Sequence, residues 1–253
     1  MNIGLCGLGK AGRQFVEFIN SRDDYNLSAA LCRDESDTAN RSVADITHIK
    51  TKKNLTVTRI SDFDNSQNIN VIVDFSSKAT TFKLIDLCSK YKINLVICPT
   101  DFTEDELKAM ERKAILNEVG FIYAPALTVG INAVISFVKI FSSLFPEFSF
   151  EIVEKHPKFK TKPTKTSQII AESINKDVPI QSVRLDGYVG VHEIIATNGI
   201  ERVSFSHESF SRDAFANGAL LAADFIYGKI GFFDIKEMYL EMLGKWGLII
   251  WKK

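Results

Sequence analysis

The first half of the chain alternates short apolar runs with stretches whose apolar residues recur every three or four positions. Five runs are apolar almost throughout: "NIGLCGLG", "LSAALCR", "NVIVDFS", "NLVICPT" and "GFIYAPA". Between the last two, Thr103 followed by Glu106 forms a capping box that predicts the start of a helix. Apolar strands that alternate with helices are typical of a parallel sheet covered on both faces. We therefore predict an α/β fold with a Rossmann-type, doubly wound parallel sheet.

The pattern changes after about residue 127. A long apolar helix, "VGINAVISFVKIFSSLF", is followed by four strand-like runs separated by turn signals. Asn198-Gly199 between two of these runs predicts a hairpin turn. We predict a dinucleotide-binding domain over 1–127, joined by C-terminal helices in 213–253, and an α+β domain over 128–212 with an open mixed sheet. Trp246 and Trp251 near the end suit either a subunit contact or a core position, and the pattern leaves both open.

The composition narrows the functional classes. The 253 residues contain 31 Lys plus Arg and 31 Asp plus Glu, and this neutral balance argues against general nucleic-acid binding. No apolar run approaches the roughly 18 residues of a membrane span, and no secretory signal is visible, so we expect a cytoplasmic protein without membrane contact. The four cysteines lack metal-ligand spacing, which predicts reduced, buried thiols and no metal site; they are Cys6, Cys32, Cys88 and Cys98.

A glycine-rich turn follows the first strand and leads into a helix. It comprises Gly7, Leu8, Gly9, Lys10, Ala11 and Gly12. In a dinucleotide-binding turn Gly7 would allow the tight bend, Gly9 the approach of a pyrophosphate, and Gly12 the packing of helix on sheet. A purely structural turn is the alternative. The surrounding order of strand, turn, helix and second strand favours dinucleotide binding.

The second strand ends at the position where an acid normally binds the ribose hydroxyls. Here Cys32 is followed by Arg33 and Asp34. Cys32 cannot accept hydrogen bonds as a carboxylate does, whereas Arg33 can pair with a 2′-phosphate. The cofactor is therefore NADPH or NADH, with NADPH favoured. Asp34 in a shifted turn would restore a preference for NADH.

Residues 154–166, "EKHPKFKTKPTKT", place one histidine among five lysines. Taken alone, such a run is usually a solvated charge cluster. It also offers acids suited to proton transfer, together with cations and hydroxyls that can hold an anionic substrate. Thr166 is predicted to cap a helix that begins near Ser167. His192 and His207 lie on strand-like runs and are interpreted as satisfied structural histidines.

With these segments in place, the chain resembles the dihydrodipicolinate reductase family nearly from end to end. The resemblance lies in "GLGKAGRQ", "VDFS", "VGIN", the "EKH…K" stretch, "SVRLDGYVGVHE" and "SHESFSRDAFANGALLAA". It implies a two-domain, usually tetrameric reductase that transfers hydride from NADH or NADPH to a cyclic imine dicarboxylate. The product is tetrahydrodipicolinate, in diaminopimelate and lysine synthesis. It also implies that 128–212 binds the dicarboxylate and forms the homotetramer.

The resemblance assigns roles residue by residue. His156 and Lys160 match the family's acids, and the anion-binding interpretation of the loop then becomes the favoured one. Three residues occupy the family's substrate-carboxylate positions: Pro157, Lys165 and Thr166. Further cofactor contacts are expected at Cys98, Pro99, Thr100, Ala124 and Leu127.

The same positions contain the departures from the family pattern. Pro157 replaces a histidine, Lys162 an aspartate, and Thr164-Lys165 a Ser-Gly pair, while "CPTD" stands for G-T-T-G. Scaffold positions match better than ligand contacts. Two alternatives therefore stay open: a reductase of another small imine or oxo acid, and a nucleotide-binding relative without chemistry.

Overall fold

The computed structural model describes residues 1–174 and 176–245. Trp246 and Trp251 lie outside these residues. The chain divides into two compact units. The first consists of Met1–Pro125 and Phe215–Met238, and the second contains Ala126–Ala214 with the chain from Tyr239. The observed division thus lies two residues before the predicted one, and the predicted C-terminal extension of the first domain is split after Met238.

The helices and strands follow one another in three groups. The first contains β1 (Asn2–Cys6), α1 (Lys10–Asn20), β2 (Asn26–Cys32), α2 (Val43–Thr47), β3 (Val57–Arg59), β4 (Val71–Asp74), α3 (Lys78–Tyr91), β5 (Asn94–Ile97), α4 (Glu104–Leu116) and β6 (Gly120–Tyr123). The second contains α5 (Val129–Leu144), β7 (Ser149–His156), α6 (Lys165–Ile174), β8 (Ile180–Arg184), β9 (Gly190–Thr197) and β10 (Arg202–Ser209). The chain continues with α7 (Asp213–Ile226), β11 (Gly231–Asp234) and α8 (Ile235–Lys245).

The first unit contains a seven-stranded sheet in the order β11-β6-β5-β4-β1-β2-β3. Its neighbouring strands pair in parallel, and β4, β5 and β6 are buried throughout. The doubly wound α/β prediction is confirmed. Because the strand order reverses between β1 and β4, their carboxyl ends meet at the point where open α/β sheets bind ligands.

The capping box is also confirmed, while two short strands escaped the sequence pattern. Thr103 Oγ1 accepts from the Glu106 amide, and the Glu106 carboxylate accepts from the Thr103 amide at 2.7 Å. β3 and β11 are edge strands of three and four residues. Such strands are too short for alternation to be recognised.

The second unit contains a four-stranded mixed sheet in the order β10-β9-β7-β8. β7 runs parallel to β8 and antiparallel to β9, and β9 is antiparallel to β10. The hairpin at Asn198-Gly199 is confirmed: the Asn198 side chain accepts from the amides of Ile200 and Glu201, each at 3.0 Å. The predicted open mixed sheet is therefore present.

One face of this sheet carries the core of the second unit. Phe150 and Ile152 of β7 and Ile194 of β9 pack there with residues of α5 and α6. Side chains two residues apart on a strand share a face, so the same face continues into Glu154, His156 and His192. Among the described helices, none is long and apolar enough to cross a membrane.

Candidate active site

The glycine turn has the geometry that its spacing predicts. Gly7 has φ +93°, and a Cβ at Gly12 would lie 1.8 Å from the Gly7 carbonyl oxygen. At Gly9, by contrast, a Cβ would meet no atom within 4 Å. Gly7 and Gly12 thus shape the turn, while Gly9 leaves space for a ligand at the start of α1. The turn therefore fits a dinucleotide pyrophosphate.

A buried aspartate shapes the opposite wall of this turn. Asp74, at the end of β4, accepts hydrogen bonds from the Ser76 amide at 2.8 Å and from Thr81 Oγ1 at 2.6 Å. Burial raises the pKa of Asp74, although these hydrogen bonds oppose the shift. The segment that Asp74 holds includes the Phe75 carbonyl group, 2.8 Å from where a Gly7 Cβ would lie. A side chain at position 7 would therefore collide with the Phe75 carbonyl group, and only a glycine fits there.

The turn opens into a cleft of about 450 Å³ within the first unit. Its lining includes Gly7, Leu8, Gly9, Arg13, Cys32, Arg33, Ser36 and Thr38. Lys10, Ala11 and Gly12 instead form the first turn of α1 and do not line the cleft. The cleft contains two arginines, Arg13 and Arg33, and none of its lining residues is acidic.

The acids that follow Arg33 have another partner. Lys83 Nζ pairs with Asp34 at 2.9 Å and with Glu35 at 3.4 Å. A hydrogen bond from Lys83 lowers the pKa of Asp34, supported by the Ser61 amide. Neither carboxylate lines the cleft.

The other predicted cofactor residues lie outside this cleft. Cys98, Pro99 and Thr100 follow β5, where Thr100 Oγ1 donates to Asp101 at 3.2 Å. Ala124 is fully buried after β6 and donates its amide to the Ile97 carbonyl group at 2.8 Å. Leu127 is buried in the second unit. The cysteines are free thiols, three of them buried and Cys98 half-buried.

A row of polar side chains crosses the sheet of the second unit. His207 of β10 pairs in register with His192 of β9, His192 with Glu154 of β7, and Glu154 with Ser182 of β8. Cross-strand partners share a face, so the row continues the apolar core at one end of the sheet. His156 and Arg184 form the next register pair along the same two strands.

Glu154 lies at the centre of this row and is completely buried. It accepts hydrogen bonds from Ser182 Oγ at 2.6 Å, from the Thr164 amide at 3.0 Å and from the Ser167 hydroxyl group, and it forms an ion pair with Arg184. Burial alone would raise the pKa of Glu154. The hydrogen bonds from Ser167, Ser182, Thr164 and Arg184 outweigh burial and lower the pKa to about 2. Glu154 is therefore a stable carboxylate at neutral pH.

His156 contacts a second histidine rather than standing alone. Its Nε2 lies 3.3 Å from Nε2 of His192, and both rings are buried. Burial lowers the pKa of His156, and burial together with the proximity of His156 lowers the pKa of His192 to about 3. Within the described chain, His192 Nδ1 is buried without a hydrogen-bond partner. His207 Nδ1 is likewise buried without a partner among the described residues, so the interpretation of both histidines as fully satisfied is wrong for these ring nitrogens.

The lysines of residues 154–166 differ in their partners. Lys158 pairs with Asp186 at 2.9 Å, and Lys165 lies 3.9 Å from Glu172. Lys160 and Lys162 are exposed, and among the described residues neither forms an ion pair. These two exposed lysines are available to pair with an anionic ligand.

The predicted cap of α6 is corrected by two residues. The helix begins at Lys165, and Thr164 Oγ1 accepts from the Ser167 amide at 3.4 Å. Thr164 is thus the capping residue, and Thr166 belongs to the first helical turn together with Lys165. The sequence prediction failed because the buried Glu154 side chain selects Thr164. Pro157 is half-buried directly after β7, and its carbonyl group accepts from the Lys160 amide at 3.0 Å.

Glu154, His156 and His192 also bring three potential metal-ligand atoms within 4.8 Å of one another. Both oxygens of Glu154 already accept hydrogen bonds, and the guanidinium group of Arg184 provides its counter-charge. A metal ion would have to displace these donors beside a cation. We therefore assign no metal to this group.

Sequence reasoning missed three residues of this site: Glu154, Arg184 and His192. Alternation along each strand was sufficient to place their side chains on the core face. Their meeting depended on the register of three strands, which no local pattern contains.

The parallel sheet with its glycine turn, and the polar site on a separate mixed sheet, define a Rossmann-type NAD(P)H-dependent oxidoreductase. Comparison with protein families agrees. The model described as dihydrodipicolinate reductase, N-terminus, matches residues 1–127, and the C-terminus model matches residues 130–239. The chain belongs to the dihydrodipicolinate reductase family, as the resemblance predicted.

Individual relatives cover most of the chain. A protein of Thermosipho africanus named 4-hydroxy-tetrahydrodipicolinate reductase is 35% identical over 173 residues, 68% of this chain and 79% of the relative. One of Buchnera aphidicola with the same name is 26% identical over 90% of this chain and 93% of its own length. The dipicolinate-bound dihydrodipicolinate reductase from Paenisporosarcina sp. TG-14 has the same fold, with a TM-score of 0.77 at 20% identity, covering 92% of this chain and 97% of that one.

Proposed function

We propose that this chain reduces 4-hydroxy-tetrahydrodipicolinate to tetrahydrodipicolinate with NADPH or NADH, in diaminopimelate and lysine synthesis. The observation that carries the proposal is the segment after β7. There the buried His156 and the exposed, unpaired Lys160 lie on either side of Pro157 and precede the N-terminus of α6. This set of groups can bind a dicarboxylate and supply a proton.

In this proposal the first unit binds the cofactor. Gly7, Leu8 and Gly9 would hold the pyrophosphate, and the bound nicotinamide would supply the hydride. Arg33, with Arg13 in the same cleft, supports a preference for NADPH, since Asp34 and Glu35 are paired with Lys83. The ratio of kcat/KM for the two cofactors would test this preference.

In this proposal the second unit binds the substrate. Lys160 and Lys162 would offset the charge of the two carboxylates, assisted by Thr166 and the helix N-terminus. His156 is neutral at pH 7 because burial lowers its pKa. A dianionic substrate would favour its charged form, so we expect His156 to gain a proton as substrate binds. The positively charged Lys160 would be the exposed acid.

A reductase of another small imine or oxo acid is the second candidate. The observation that favours it is Pro157, which has no imidazole and no N–H to offer a carboxylate, at a position where the family has a histidine. Such a protein would use the same cofactor cleft and the same two acids, His156 and Lys160, on a substrate whose carboxylates are arranged differently.

We also propose a homotetramer formed through the sheet of the second unit. The face away from α5 and α6 carries the half-buried apolar residues Val153, Val183 and Ile195. Partly exposed apolar residues on an uncovered sheet face favour association with other copies. Sedimentation equilibrium would test this, and a monomer at all concentrations would contradict it.

The activity is tested by oxidation of NADPH at 340 nm, with substrate generated by dihydrodipicolinate synthase from pyruvate and aspartate semialdehyde. We expect turnover that depends on both enzymes. His156→Asn and Lys160→Met should each lower kcat by about 100-fold or more without changing the Kd of NADPH. Lys158→Met removes a lysine already paired with Asp186 and is the matched control.

Failure of the assay would be informative. NADPH binding without turnover would exclude the lysine-pathway reaction and favour the second candidate, which a panel of other imines and oxo acids would then test. Equal loss of activity in the Lys158 control would contradict the specific role of Lys160.

A further inference from the structure

The segment between β7 and α6 contains neither helix nor strand, yet two side chains of the sheet form hydrogen bonds with its backbone. Arg184 Nε donates to the Lys160 carbonyl oxygen at 3.1 Å, and its Nη2 donates to the carbonyl oxygen of Thr161. At the end of the segment, the Thr164 amide donates to Glu154 at 3.0 Å. Both anchoring side chains come from the sheet.

Arg184 is itself fixed on both sides of its guanidinium group. Nη1 donates to the Val183 carbonyl oxygen at 2.9 Å, and Nη2 pairs with Glu154. The Arg184 side chain is only 4% exposed and that of Glu154 is fully buried. A planar guanidinium group can serve several acceptors at once because its donors form a rigid fork. A single ammonium group cannot reproduce this arrangement.

The anchors act on the backbone and leave the lysine side chains exposed. Lys160 and Lys162 therefore do not need to form ion pairs within the protein to keep the segment in place. These hydrogen bonds would hold the segment in place before an anion arrives, and this would lower the conformational cost of binding.

We propose that Arg184 is a positioning residue that holds the Lys160 segment in its binding geometry, and that Glu154 orients Arg184 for this task. This inference rests on the proposed function only in so far as Lys160 acts on substrate. The order of the segment itself is a property of the free protein and can be measured without turnover.

The first experiment is hydrogen–deuterium exchange of the free protein, followed in peptides covering residues 157–164. Arg184→Met removes all the guanidinium donors, and we expect exchange in these peptides to rise at least tenfold. Arg184→Lys preserves a charge for Glu154 but offers one nitrogen for the two carbonyl groups, so we expect an intermediate rise. Arg202→Met, at the exposed start of β10, is the matched control and should show wild-type exchange.

The second experiment separates positioning from general loss of folded protein. Partial unfolding lowers apparent kcat and leaves KM unchanged, whereas a displaced Lys160 segment should lower kcat and also raise the KM for substrate about tenfold or more. The KM for NADPH should not change. Should Arg184→Met not fold, Arg184→Lys and Glu154→Gln provide the same comparison, since glutamine retains an acceptor for the Thr164 amide.

Two outcomes would overturn the inference: unchanged exchange in residues 157–164 in both Arg184 variants, or a fall in kcat with unchanged KM. Failure of the proposed function has a different signature. In that case the wild type would not turn over this substrate, or Lys160→Met would retain wild-type activity, while the exchange of the segment would still respond to Arg184.

Discussion

The glycine turn of the first unit and the His156 site of the second unit are built in opposite ways. The turn consists of main-chain atoms within six consecutive residues, and an added Cβ would have the least space at Gly12, against the Gly7 carbonyl oxygen. The His156 site consists of buried side chains from three strands, in which Glu154 and Arg184 are 30 residues apart. The first depends on the absence of side chains, and the second on the pairing of its buried charged side chains, Glu154 and Arg184.

This difference teaches how each region should tolerate change. A main-chain turn fails when an atom is added where the backbone leaves no space, whatever the chemistry of that atom. A buried polar network fails when a donor or acceptor is removed, because the remaining partner stays buried and unpaired. Volume decides the outcome in one region and hydrogen-bond balance in the other.

The largest effect is expected from Gly12→Ala. The added Cβ would overlap the Gly7 carbonyl oxygen, so the turn must distort, at a cost on the order of 3 kcal/mol, and NADPH binding should be lost. Urea unfolding and fluorescence titration with NADPH would measure both effects. Gly9→Ala is the matched control: it should unfold at the wild-type urea concentration, since its Cβ meets open space. Wild-type NADPH affinity in Gly12→Ala would contradict this account of the turn.

A smaller effect is expected from Arg33→Ala. This substitution changes a side chain of the cofactor cleft and leaves the main-chain turn intact. Removing a charged hydrogen-bond donor to a phosphate costs about 1.5–3 kcal/mol, so kcat/KM for NADPH should fall about 10- to 100-fold. The value for NADH should change by less than about threefold, because NADH lacks the 2′-phosphate. Steady-state kinetics with both cofactors would measure the ratio, with the exposed Arg112→Ala as control. An equal fall for both cofactors would exclude 2′-phosphate recognition by Arg33.

The smallest effect is expected from His192→Gln, measured as the pH dependence of unfolding. The folded pKa of His192, about 3, lies below its ordinary value of 6.5. His192 therefore contributes stability that is present above pH 6.5 and is lost as pH falls towards 3. Between pH 7 and pH 5 the loss should be about 2 kcal/mol. Glutamine does not titrate, so its variant should lose correspondingly less over this range.

Urea unfolding at several pH values would measure how the free energy of unfolding changes with pH. This slope is the useful quantity, because loss of the ring contacts also changes the absolute stability. His48→Asn removes an exposed histidine in the first unit and is the control for replacing a histidine. Identical slopes for His192→Gln and the wild type would show that burial does not suppress the protonation of His192.

The sequence predicted the glycine turn in more detail than the His156 site. Strand, turn and helix around Gly7 follow from neighbouring residues, and so did the capping box at Thr103 and the hairpin at Asn198. In the second unit the alternation of β7 and β9 indicated which side chains face inward. It could not indicate that Nε2 of His192 lies beside Nε2 of His156, because that contact depends on strand register.

The sequence by itself determined the doubly wound sheet, the glycine turn and the family to which the chain belongs, because each depends on residues close together or on a long ordered set of motifs. Tertiary structure alone decided that Glu154 binds Arg184, that Thr164 rather than Thr166 caps α6, and that Asp34 turns to Lys83. The physical reason is that a buried polar group takes whichever partner the fold brings within hydrogen-bond distance. For these residues that partner is distant in the chain or competes with an equally suitable neighbour.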